Sequence, residues 1–78
     1  MRIDWQNYGT GRDTGVEAYA LLPDAIALKF CYGRVYLYDA TRPGRIHVER
    51  MQALAQRGSG LTTYVNRFVR DCYAGRVA

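Results

Sequence analysis

Seventy-eight residues, 49% of them hydrophobic and 13% aromatic, make one small folded domain and leave no room for a second core. That apolar content excludes a disordered chain, and no apolar run approaches the roughly 18 residues of a membrane-spanning helix. The formal charge of +4 is unevenly placed. Residues 34–70 hold seven Arg against Asp39 and Glu49, whereas residues 1–33 hold Arg2, Arg12 and Lys29 against Asp4, Asp13, Glu17 and Asp24. Apart from Lys29 every basic residue is Arg, whose planar donor fork suits phosphates and carboxylates and stacks on aromatic rings. An Arg-rich composition also accompanies GC-rich coding sequences, so charge alone assigns no ligand.

In chain order, residues 1–15 are the least defined. Ile3 and Trp5 alternate like a short strand, but the run from Asn7 to Gly15 is rich in turn formers. From Val16 the pattern sharpens into a single domain over 16–78. Val16, Ala18, Ala20 and Leu22 alternate with Glu17, Tyr19 and Leu21, and the strand stops at Pro23-Asp24. A second strand is expected over 25–32 and a third over 34–39, joined by a hairpin at Gly33. A two-residue loop there places Ile26, Leu28, Phe30, Val35 and Leu37 on one face. Ala27, Lys29, Cys31, Tyr36 and Tyr38 then fall on the other, because side chains alternate along a strand.

Two helices follow. Thr41-Arg42-Pro43 opens one over 43–57, with Pro43 at its first position, Thr41 as a nearby cap and Gly58 as its end. Ser59 or Gly60 caps the other over 60–73, where Leu61, Tyr64, Val65, Phe68, Val69 and Cys72 recur at helical spacing. Arg67 and Arg70 lie off that stripe. The expected architecture is α+β: a three-stranded antiparallel meander covered on one face by two C-terminal helices, βββαα. Phe30, Leu37, Leu54, Val65 and Phe68 are its expected core. Tyr36, Tyr38, Lys29 and Tyr19 are left on an open sheet face.

Catalytic and metal chemistry is thinly represented. His47 is the single histidine and Ser59 the single serine; two cysteines and one histidine fall short of the about four ligands of a zinc site. Cys31 and Cys72 are expected to remain thiols, one on the open sheet face and one on an inner helix stripe. Gly58-Ser59-Gly60 lacks the lysine of a phosphate loop and reads as a loop and cap. The Tyr36-Leu37-Tyr38 alternation admits three readings. It is a stacking platform for single-stranded bases, a protein interface, or simply a good strand former.

Leu28-Lys29-Phe30 through Gly33, then Tyr36-Leu37-Tyr38, then Tyr64-Val65-Asn66-Arg67-Phe68-Val69-Arg70-Asp71-Cys72-Tyr73 together resemble the KTSC domain. That short module stands alone in bacterial and phage proteins and ends some lysyl-tRNA synthetases. Tyr36 and Tyr38 match its central YxY, and Tyr64, Asn66, Val69, Arg70 and Tyr73 match its late segment. The linker from Asp39 to Gly44 departs from the family's short Val-Pro connection. What the resemblance implies about function is limited to an RNA-binding role drawn from the tRNA-synthetase context.

The resulting expectation is a non-enzymatic, cytoplasmic binding module with no cofactor, no metal and no membrane partner; Met1–Asn7 carries no signal-type apolar stretch. RNA or single-stranded nucleic acid is the leading ligand, with Lys29, Arg34, Tyr36, Tyr38, Arg67 and Arg70 as contact residues. The alternative partner is a protein, either a second copy or another chain, on the same open aromatic face.

Overall fold

The computed structural model describes residues 4–8, 15–31, 33–69 and 71–76. They form an α+β fold with an antiparallel sheet of five strands in sequential order. These are β1 (Gln6–Asn7), β2 (Val16–Leu22), β3 (Ala25–Phe30), β4 (Val35–Asp39) and β5 (Gly75–Arg76). Helix α1 (Arg45–Arg57) and helix α2 (Leu61–Tyr64), which runs on into a π-helical turn (Val65–Val69), lie between β4 and β5. The expected three-strand meander is therefore the centre of a wider sheet. Two short edge strands flank it: β1 follows the Ile3–Trp5 alternation, and β5 comes from a stretch where no strand was expected.

The β3–β4 hairpin overturns the expected side-chain parity. Phe30 N–H donates to the Arg34 carbonyl and Gly33 N–H to the Phe30 carbonyl, so the loop spans 31–33 rather than two residues. Gly33 adopts φ 93, the left-handed position that closes a three-residue loop without a Cβ penalty. An odd loop reverses the pairing: Leu28 opposes Tyr36 and Ile26 opposes Tyr38, while Lys29 opposes Val35 and Ala27 opposes Leu37. The two tyrosines thus share the face of Ile26, Leu28 and Phe30. Tyr38 is 0% exposed and Tyr36 9%. Val35 and Leu37 move to the other face.

A bulge between Val16 and Ala18 shifts the β2 register, so Tyr19 opposes Leu28 and packs against the core instead of standing on an open face. The far face collects Ala18, Ala20, Ala25, Ala27 and Val35, all buried, with Lys29 and Leu37 half-buried. The core lies on the tyrosine side. Val16, Ile26, Leu28, Phe30, Tyr36 and Tyr38 meet Val48, Met51 and Ala55 of α1 and Leu61, Val65 and Val69 of the second helix. Gln52 ties α1 to the β2–β3 turn by donating to the Leu22 and Ala25 carbonyls at 3.2 and 2.8 Å.

The segment after β4 also differs from expectation. Asp39 accepts the N–H groups of Thr41 and Arg42 on Oδ1 at 2.9 and 3.0 Å, and its carbonyl accepts Gly44 N–H. This closed turn occupies the place given to the first helical residues. Gly44 at φ 115 then swings the chain into α1, so the helix starts at Arg45 and neither Pro43 nor Thr41 opens it. At its far end Gly58 donates to the Leu54 and Ala55 carbonyls, the usual glycine closure.

The second helix ends early. Its helical run stops at Val69, and Ala74 N–H donates to the Leu37 carbonyl as the chain returns to the sheet. Cys72 lies beyond the helix and is exposed, so its expected place on an inner stripe is corrected. Tyr73 instead stacks on Tyr36 at 4.2 Å and meets Tyr38 edge-on at 6.4 Å.

The N-terminal stretch is partly anchored rather than undefined. Tyr8 is buried and its hydroxyl accepts the backbone N–H of Leu61 at 2.8 Å, satisfying a donor at the start of α2. Among the described residues no helix is long and apolar enough to cross a membrane.

Candidate functional site

The residues expected to form a nucleic-acid platform do not come together. Tyr36 and Tyr38 are core residues for the parity reason given above. Lys29 projects to the opposite face of the sheet and pairs with Glu17 at 3.6 Å. Arg34 is exposed at the hairpin, where its guanidinium reaches the Tyr36 hydroxyl at 3.4 Å. Arg67 lies on the second helix, far along the chain from the hairpin, and is exposed. Arg70 falls outside the described residues. Tyr36 and Tyr38 therefore present no exposed stacking face.

A different surface has the properties sought. On α1, Ile46, Arg50, Ala53 and Arg57 recur at i, i+4, i+7 and i+11 and are all exposed, one stripe on the side away from the core. Ile46 is 68% exposed, the most of any large apolar residue described. Arg50, Ala53, Leu54 and Tyr64 line an open groove of about 310 Å³ where α1 meets the second helix.

Phe68 neighbours Tyr64, the aromatic member of the groove lining. It was expected in the core, yet it is 56% exposed, with its ring 4.9 Å from that of Tyr64. The π-helical turn explains the difference. Its i to i+5 bonding takes more residues per turn than an α-helix, so residues after Val65 lag behind the α phase. Leu61, Val65 and Val69 keep the buried stripe, and Phe68 falls outward beside Tyr64. Such π-helical turns occur frequently at functional sites.

Tyr64 is held in place from α1. Its hydroxyl and His47 Nδ1 are 2.6 Å apart, a strong hydrogen bond between half-buried side chains. His47 thus works as a brace between the helices.

The charge on this part of the chain is one-sided. From Arg45 to Val69 there are Arg45, Arg50, Arg57 and Arg67 against Glu49 alone, four minus one, a net +3. Glu49 is engaged by Arg45 at 2.9 Å across one helical turn, and among the described residues Arg50, Arg57 and Arg67 are exposed with no ion pair. An aromatic pair with one exposed ring, a groove and exposed guanidinium groups can together hold an anionic, ring-bearing ligand.

Sequence reasoning missed this surface. Its signal was present in Ile46, an aliphatic residue on the wrong side of the Val48/Met51/Ala55 stripe, and in Arg50 and Arg57 sharing its face. No family model matches the chain, and neither the curated proteins nor the solved structures contain a match.

Proposed function

We propose that this protein is a small non-enzymatic binding module for nucleic acid, and that it binds through the outer face of its helix pair rather than through the sheet. The observation that carries this reading is Arg50 in the groove with the half-buried Tyr64, whose ring meets the exposed Phe68, together with Arg57 and Arg67 exposed on the same two helices. Guanidinium groups neutralise phosphates, and the release of condensed counterions supplies most of the affinity of such contacts. The KTSC resemblance stays part of the proposal and points the same way through its tRNA-synthetase context. It also acquires a structural sense: Tyr36, Tyr38 and Tyr73, three of its matched positions, meet in the core.

A second reading, a protein interface on the same face, is favoured by the exposure of Ile46 and Phe68, since apolar side chains clustered at a surface mark partner sites. Titration with a labelled single strand at two salt concentrations separates them. Nucleic-acid binding must weaken steeply with salt. Arg50→Gln and Arg57→Gln must each flatten the logarithmic salt dependence by about one unit. Absence of a complex at low salt would remove the nucleic-acid reading.

A further inference from the structure

We infer that the groove lined by Arg50, Ala53, Leu54 and Tyr64 takes an unpaired nucleobase, so that the ligand is specifically single-stranded. The inference rests on the nucleic-acid reading and narrows it. Phosphate neutralisation by arginine does not distinguish single strands from duplexes, because both present the same backbone charge. The aromatic pair does distinguish them. The Tyr64 and Phe68 rings stand 4.9 Å apart with an interplanar angle of 43°, Phe68 largely in solvent. Ring faces of this kind gain by covering another π-face. In a duplex the base faces are occupied by their stacked neighbours and only the edges are open; in a single strand a base can be splayed out onto the protein.

Size, chemistry and order of the groove agree with such an occupant. At about 310 Å³ and open to solvent, it admits a planar ring without closing around it. Ala53 and Leu54 form an apolar wall facing the tyrosine, where a base exchanges water for contact. Arg50, also in the lining, can reach the phosphate attached to that base or stack on its edge. Among the described residues no carboxylate lines the groove, and Glu49, beside Arg50 in the chain, is turned to Arg45. His47 fixes the Tyr64 hydroxyl to α1, so the ring is set before the ligand arrives and less ordering is lost on binding. Among the described residues the far sheet face offers no comparable exposed ring.

The test is fluorescence anisotropy at low salt with three probes: a short oligothymidine strand, an abasic strand of the same length, and the corresponding duplex. The abasic strand keeps the phosphates and lacks the bases. The parent should bind the oligothymidine most tightly. Phe68→Ala should weaken that complex about 5- to 150-fold and leave abasic-strand binding unchanged, while Phe68→Tyr, which keeps the ring, should restore it. Phe68 is exposed, so the alanine variant should fold, and its amide spectrum verifies this. Equal affinity for the oligothymidine and abasic strands, with Phe68→Ala silent, would overturn the base pocket and leave the polyanion reading standing. No complex with any probe would overturn both. A parent that then sediments as a dimer, and a Phe68→Ala variant that sediments as a monomer, would assign the face to a second copy of the chain.

Discussion

At the scale of single residues, two aromatic side chains exchanged roles relative to their sequence pattern. Tyr38 is wholly buried and Phe68 mostly exposed. The physical consequence is a reversed order of mutational cost. Tyr38→Ala empties a central core site and should cost about 3–5 kcal/mol, the range for truncating a buried large aromatic side chain. Phe68→Ala removes mainly the Tyr64 ring contact and should cost about 1 kcal/mol. Urea denaturation of both variants checks this; a Phe68→Ala loss as large as that of Tyr38→Ala would return Phe68 to the core. His47→Ala should cost about 1 kcal/mol through the lost hydrogen bond to Tyr64, also readable by urea denaturation. The exchange was not legible beforehand because an alternating run fixes which residues share a face, not which face is inside. That choice depended on one residue of loop length at Gly33, and both two- and three-residue loops accommodate a glycine.

At the scale of elements, β2, β3, β4 and α1 lie close to where alternation, turn residues and helical spacing put them, because each carries several apolar residues in one clear period. β1 and β5 were not legible, since two residues cannot show a period. The second helix was legible as a helix but not as a π-helical one. Leu61, Tyr64, Val65, Phe68 and Val69 fit an α stripe equally well, and only packing selects Val69 over Phe68 for the interior. Its attachment to the N-terminal stretch was also hidden, because Tyr8 sits in a run of turn formers. Tyr8→Phe keeps the ring and removes the acceptor of Leu61 N–H, leaving a buried donor at the helix start. It should cost about 1–3 kcal/mol, measured by urea denaturation, with faster amide exchange at Leu61. Gly15→Ala should also destabilise, by about 1–3 kcal/mol on thermal unfolding, because the added Cβ would overlap the Thr62 side chain, whose hydroxyl accepts Val16 N–H.

At the scale of the whole molecule, the two layers divide the work. The sheet contributes Tyr36 and Tyr38 to the core and keeps a far face of buried alanines and Val35 with the half-buried Lys29 and Leu37. The helix pair, secured by Gln52 at one hairpin and Tyr8 at its second start, presents the exposed Phe68 ring and the exposed Arg50, Arg57 and Arg67. The basic bias of the second half of the sequence was legible as a pointer to an anion, but not its placement, because five of the seven arginines from 34 to 70 follow the Asp39–Gly44 turn, whose geometry the sequence pattern does not fix. Amide chemical-shift mapping during titration with an oligothymidine strand tests the proposed binding to the helix face. Perturbations are expected to concentrate at Arg50, Ala53, Leu54, Tyr64, Arg67 and Phe68 and to grow as salt is lowered. Perturbations gathered instead at Lys29, Val35 and Leu37, on the far face of the sheet, would contradict it.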